Sequence, residues 1–262
     1  MLPLAGSSLP TSPETLADAL KGGMEACGVQ PCEVAASGTW PALENLRIDV
    51  TGAHFDLAKF SPLRAEDRAS GFSVKEMQLV AAPAMFGAAA ADFALVAEDA
   101  EFDVSPNVEG RSVLAIRRAA QGSVRLEMEH AAVEKLAHQL IVKAAGEHGV
   151  EIKATTLRIT VRGPRALSLN AEITAKMFVA TAAVRVSGDL DVDDQLNARI
   201  SNLRFDGDGM IANLAGGIVR PQLARFEGRV FPLMTFAVGE IRLRDVQLES
   251  GATLRLTARI GS

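Results

Sequence analysis

The side chains able to do chemistry are few and scattered. The four histidines are His54, His130, His138 and His148. His130 and His138 lie eight residues apart, about two helical turns, too far to ligate one metal together. No HExxH and no Cys/His cluster with zinc spacing is present. The acidic run Asp189, Asp191, Asp193 and Asp194 and the turn Asp206-Gly207-Asp208-Gly209 raise calcium, because hard cations take several oxygen ligands. Neither run continues into a twelve-residue loop closed by a glutamate, and a wet strand face and a helix N-cap account for both. Glycine forms no GxxxxGK and no GxGxxG opening a helix, so no phosphate loop is built. No nucleophile, acid or base has an orienting partner nearby in sequence. The reading is of a non-enzyme with no catalytic residues, no metal and no cofactor.

Other partners are narrowed by composition. The net charge is −5, tyrosine is absent and Trp40 is the sole tryptophan. Nucleic-acid surfaces concentrate Lys and Arg and often add aromatic stacking platforms, so nucleic acid is excluded as a partner. Arginines do cluster locally: Arg220, Arg225 and Arg229, Arg162 and Arg165 in an RGPR turn, and Arg117-Arg118. Such groups suit anionic lipid headgroups, although a solvated face explains each singly. Cys27 and Cys32 are the only cysteines. They read as two free structural thiols, with pairing across a short loop as the alternative in an oxidising compartment.

The elements that must position these groups are legible from periodicity. Thr11 to Cys27 places Leu16, Ala19, Leu20 and Met24 on one helical face and ends near Gly28. Residues 1–43 therefore form an N-terminal helix and loop. From Glu44 the period becomes two: Leu46, Ile48 and Val50; Leu157, Ile159 and Val161; Leu167, Leu169, Ala171 and Ile173; Val184, Val186, Leu190 and Val192; and Leu254, Leu256, Ala258 and Ile260. Each set predicts a strand with one buried face and one wet face, as antiparallel sheets have.

The alternation is interrupted in a repeated way. Val74 to Leu79, Ala97 to Phe102, Ile200 to Phe205 and Leu243 to Leu248 each read apolar, polar, polar, apolar, polar, apolar. An extra polar residue reverses the buried face unless the strand carries a bulge. These segments predict long bulged strands in a strongly twisted sheet, built from similar units in residues 44–128 and 129–262. A helix over Glu129 to Gly146 carries Val133, Leu136, Ala137, Leu140, Ile141 and Ala144 at helical spacing. A second, capped at Asp208, carries Ile211, Leu214, Ala215 and Ile218 up to Pro221, and a further turn carries Leu223 and Phe226. The pair Gly216-Gly217 inside it permits close approach to a strand or ligand, or merely softens the helix. The class is α+β, with residues 44–262 as one elongated domain.

The segment VRLEMEHAAVEKLAHQLIVKAAGEHGVEIKATTLRITVRG, with MFVATAAVRVSGDLDV, ISNLRFDGDGMIANLAGGIVRPQL and IRLRDVQLESGATLRLTARI after it, resembles the LmeA-like family of bacterial phospholipid-binding proteins. The resemblance runs over roughly residues 46–260 as an order of strands and helices. It implies a long, strongly curved antiparallel sheet wrapped around one or two long amphipathic helices, similar to tubular lipid-binding domains, with an apolar groove for acyl chains.

Together these readings point to non-enzymatic binding or transfer of a phospholipid or fatty-acyl ligand, with peripheral membrane contact. The expected wall is Val133, Leu136, Leu140, Ile141, Ile211, Leu214, Ile218 and Phe226, with Arg220 and Arg225 at the headgroup. Strands of ten residues would give a groove about 33 Å long. The alternative is a structural or protein-interaction scaffold in which the same faces close on each other. With no basic n-region and no long apolar stretch at its start, the sequence as it stands reads as cytoplasmic, or as a cell-envelope protein if a targeting segment precedes it.

Overall fold

The computed structural model describes residues 2–6, 9–55, 69–106, 112–146, 151–177, 180–193, 197–207, 216, 220, 224–232 and 243–261. The fold is α+β and mostly strand. The chain divides into two compact units: Met1–Met128, Leu233–Val246 and Arg255–Ser262 form the first, and Glu129–Pro232 with Gln247–Leu254 form the second.

The first unit opens with β1 (Leu2–Pro3) and helix α1 (Pro13–Ala26). The helix starts where it does because the Ser12 hydroxyl accepts from the Thr15 amide while the Thr15 hydroxyl accepts from the Ser12 amide, satisfying two otherwise orphaned donors. Pro13 follows at a position that needs no amide hydrogen. Gly28, at φ +80°, lets the chain turn away just after Cys27. Gly23 is required by packing: a Cβ there would lie 2.3 Å from the Pro3 carbonyl oxygen. Cys27 is exposed and Cys32 buried, and neither is bonded. Burial pushes the Cys32 thiol above its ordinary pKa, and Glu25 adds to the effect.

The strands of this unit's sheet are β2 (Glu33–Thr39), β3 (Ala42–Asp49), β4 (His54–Phe55), β5 (Ala69–Phe86), β6 (Ala89–Pro106), β7 (Ser112–Arg118), β8 (Gln121–Glu129), β14 (Leu243–Ser250) and β15 (Thr253–Gly261), of which residues 247–254 of β14 and β15 belong to the second unit. They lie in the order β14-β15-β8-β6-β5-β3-β2, with β7 beside β6 and β4 beside β5. One expectation is corrected here. The sheet is not wholly antiparallel, since β3 and β4 each run parallel to β5, with Leu46 opposite Met77 and His54 opposite Met85. Parallel neighbours cannot be joined by a tight hairpin turn. The core joins Leu16, Leu20 and Met24 of α1 to Leu46, Ile48, Val74, Met77, Phe102 and Ile116 of the sheet. Leu16 and Leu20 are wholly buried, each worth about 1.5–3 kcal/mol.

The interrupted alternation has a backbone cause. Asp99, Asn202 and Asp245 each occupy the third position of such a segment and have φ of +48°, +54° and +50°. Asp and Asn enter this left-handed region more readily than other residues that carry a Cβ. The Val74–Leu79 segment is interrupted without a left-handed residue and pairs with its counterpart, Val74 opposite Ala100 and Met77 opposite Ala97. A fifth instance, Leu43–Ile48, escaped the sequence reading; Leu43 and Leu46 stand opposite Val74 and Met77. The interruption therefore runs in register across β3, β5 and β6.

The second unit holds helix α2 (His130–Gly146) and a five-stranded sheet of β13 (Val230–Pro232), β12 (Asn197–Gly207), β11 (Ala180–Val192), β10 (Ala166–Met177) and β9 (Glu151–Gly163), antiparallel in that order. At the Asn202 bulge the β11–β12 register slips by one residue between Ser187 and Asp189. Gly188 sits opposite, where a Cβ would lie 2.6 Å from the tip of the Leu203 side chain. Of the helix expected from Asp208, the helical residues among those described are Gly216, Arg220 and 224–226; Ile211, Leu214, Ile218, Pro221 and Leu223 lie outside the described residues. Among the described residues neither sheet closes into a barrel, and no helix is long and apolar enough to cross a membrane.

Candidate functional site

Strand register gathers the second unit's apolar residues on one face. Leu157, Ala171, Val186 and Phe205 form one row across β9, β10, β11 and β12. Val161, Leu167, Leu190 and Ile200 form another, and Ile159, Leu169 and Gly188 lie between them. Side chains two apart along a strand share a face, so the expected alternation builds this surface directly.

The face is only partly covered. Ile173, Val184 and Phe205 are buried in a small cluster with Ile141, Ile152, Ala171 and Val186. Leu157, Ile159, Val161, Leu169, Leu190 and Ile200 stay half-buried. The contrast is with the first unit, where the helix face itself is fully closed.

Helix α2 packs on β9. Of its expected wall residues, Ile141 joins the apolar cluster, Val133 and Leu136 are half-buried, and the side chain of Leu140 lies outside the described residues. Polar side chains also fasten it. The His130 Nε2 donates to the Gly251 carbonyl at 3.1 Å and lies 3.3 Å from the Ser250 hydroxyl. Glu134 accepts from the Leu157 amide at 2.9 Å, and His138 Nδ1 is 3.0 Å from the Thr155 hydroxyl. These three are spaced i, i+4, i+8, so they form one stripe along the helix. Reading the histidines only as possible metal ligands missed it; their common spacing with Glu134 was the available signal.

Beyond the helix, Gly216 is buried against the sheet, where a Cβ would stand 3.2 Å from the Phe205 ring. Its role is close approach to a strand. One turn on, the Arg220 guanidinium lies 5.7 Å from the same ring centroid, within cation–π range, with its side chain at the surface. Arg225 is exposed on the 224–226 turn. Phe226 is 39% exposed beneath Arg229, at 5.8 Å, and is not part of the apolar cluster.

The opposite face is polar and internally paired. Asp189 accepts from the Ser168 hydroxyl at 2.6 Å and from Asn202 Nδ2 at 2.7 Å, Asp191 from Arg162 at 2.9 Å, and Asp193 from the Asn197 amide at 2.9 Å. Glu227 accepts from the amides of Asn202 and Leu203, closing the bulge. These carboxylates are thus used by the sheet itself, and among the described residues no group of three or more His, Cys, Asp or Glu gathers to hold a metal.

The Ser168 and Asn202 hydrogen bonds, with Arg162 nearby, hold the Asp189 carboxyl below its ordinary pKa. Its contribution to stability is therefore complete above the unfolded aspartate value near 3.9 and is lost as pH falls through the folded value. Asp189→Asn should lower the melting temperature most above about pH 4 and progressively less as pH falls through the folded value, flattening the acid limb. Melting temperature against pH, wild type beside variant, checks this. An unchanged acid limb would mean the bonds form equally with the unfolded chain.

Comparison with protein-family models, with curated proteins and with solved structures finds no match to this chain.

Proposed function

We propose that the second unit binds a lipid, a phospholipid or fatty-acyl ligand, without catalysis, on the apolar face of its five-stranded sheet beside α2. The observation that carries this is the run of half-buried apolar residues from Leu157 and Ile159 through Leu169 to Leu190. An acyl chain laid there gains about 0.8 kcal/mol per buried methylene, on the order of 10 kcal/mol gross. Binding of this kind needs no acid, base or metal. Arg220, beside Phe205 at the surface, is placed to meet an anionic headgroup, and Arg225 extends the same charge for contact with a membrane surface.

The resemblance to the LmeA-like family supports the same reading. Left-handed Asp99, Asn202 and Asp245, and the register slip at Gly188, are devices that bend strands, and they support a strongly curved sheet wrapped around its helix. A scaffold with a closed interior is the reading favoured for the first unit, where Leu16 and Leu20 are sealed.

The test is extraction of the purified protein with organic solvent under denaturing conditions, followed by mass spectrometry. Lipid at one or more equivalents per chain is the expected result. No lipid, and no stabilisation by added phospholipid or fatty acid, overturns the proposal.

A further inference from the structure

Among the described residues four large apolar side chains are exposed, Leu9, Val142, Phe226 and Val230, and the last two fall in one short segment of the second unit. Phe226, expected in the ligand wall, instead stands 39% exposed, and Val230 is 43% exposed. The segment is firmly built. The Arg229 amide donates to the Phe226 carbonyl at 3.0 Å, closing a turn, and Gly228 takes a φ of +70° within it. The Gly228 amide donates to the Ile200 carbonyl at 2.8 Å, and the Ile200 amide to the Arg229 carbonyl at 3.3 Å. The Glu227 carboxylate accepts from the Asn202 and Leu203 amides. These bonds fix the turn to β12 at the edge of the sheet, where β13 begins. Apolar side chains held out on a fixed backbone lose little freedom when something covers them.

What covers them is indicated by the charge around them. Arg225 and Arg229 belong to the same turn as Phe226, with the Arg229 guanidinium 5.8 Å from its ring centroid, and exposed Arg199 stands directly opposite Val230. Glu227, the acidic residue of the turn, is engaged by β12. Asp191, opposite Arg199 on its other side, accepts from Arg162 at 2.9 Å. The whole chain carries −5, so attraction to an anionic surface has to arise locally, and it then orients the molecule as well as holding it. A single turn also offers far less than the roughly 800 Å² that each partner buries in a stable protein–protein interface, whereas a fluid bilayer admits a few apolar side chains in any arrangement.

We propose that the turn from Arg225 to Val230 is a membrane-docking tip, with Phe226 and Val230 entering the interfacial layer of an anionic bilayer and Arg225, Arg229 and Arg199 meeting lipid phosphates. Its use, collecting or delivering a lipid at the bilayer, rests on the lipid reading above. The tip itself rests on the exposed side chains, the fixed turn and the charge.

Sedimentation of the full chain with vesicles of phosphatidylcholine alone, or of phosphatidylcholine and phosphatidylglycerol in equal parts, tests it. Wild type should bind the anionic vesicles at least about ten-fold more tightly, and the preference should fade at high salt. Phe226→Ala should weaken that binding about five-fold, and Arg225→Gln with Arg229→Gln about ten-fold or more. Independently of those variants, Phe226→Cys in a Cys27→Ser background, labelled with an environment-sensitive dye while buried Cys32 stays unreactive, should shift to the blue on anionic vesicles. Equal binding to both vesicles, binding that neither variant weakens, or a label that stays in water on bound vesicles overturns the tip. No binding to either vesicle also overturns it and leaves the turn to a protein partner. Uptake of the fluorescent fatty acid cis-parinaric acid by wild type without vesicles reports the groove separately. Uptake without vesicle binding overturns the tip alone, whereas vesicle binding through this turn without uptake supports the tip and sinks the groove reading.

Discussion

Phe102→Ala will destabilise the first unit by about 3–5 kcal/mol. The ring is 1% exposed and lies face to face with Phe72 at 4.8 Å, and Phe72 in turn meets Trp40 at 5.3 Å. Removing it deletes the ring stacked on Phe72 and leaves a void bordered by strands on both sides, since β6 pairs with β5 and with β7 there. Strands fixed by ladders cannot move inward to fill the space, which places the cost toward the upper part of the range. Trp40, as the sole tryptophan, reports unfolding of this unit directly. In guanidinium its transition should shift to lower denaturant with an unchanged slope. A loss below about 1 kcal/mol would mean that neighbouring side chains collapse into the site.

Leu169→Glu is expected to abolish ligand uptake while costing the unliganded protein little. Leu169 stands at the middle of the half-buried face, between Ile159 on β9 and Gly188 on β11. Being half-buried, a glutamate there stays hydrated when the face is empty. A bound acyl chain would strip that water from a carboxylate without supplying a partner, and about 3 kcal/mol of that penalty is roughly a hundred-fold in affinity. Asn170→Glu, one residue along and therefore on the polar face, is the control and should bind as wild type does. Titration of cis-parinaric acid into the three proteins decides the matter. Equal affinities would remove this face from consideration as the ligand surface.

What could be read from the sequence follows the range of the interactions involved. The helix at Pro13–Ala26, the helix at His130–Gly146 and the strands built on Leu157, Leu167 and Val184 depend on period and capping, which are local. The interrupted segments were legible too, because an extra polar residue between apolar ones has few structural solutions. Their conformations were not uniform, since left-handed φ is found at Asp99, Asn202 and Asp245 and no such residue serves the Val74 segment. Which strands become neighbours is a contest among distant segments, so the parallel pairing of β3 with β5 left no local trace. Half-burial of Leu169 or Val133 was equally hidden. An apolar residue on an alternating strand looks the same whether a neighbour covers it fully or in part. The fastening role of His130 and His138 depended on where β9 and the Ser250–Gly251 turn would lie, which periodicity does not specify.

The order in which the strands are made has a consequence for synthesis. In the first sheet β8, ending at Glu129, lies between β6 and β15, and β15 begins only at Thr253. On the ribosome, at about 5–20 residues per second, β6 and β8 can pair while the edge of β8 that β15 will occupy waits for the whole second unit to be translated. An edge left open for that interval is a template for the wrong strand, including a strand of a neighbouring nascent chain. Expression at lower temperature or with chaperones that hold exposed edges should therefore raise the soluble yield, and removal of β15 should cost solubility before it costs secondary structure.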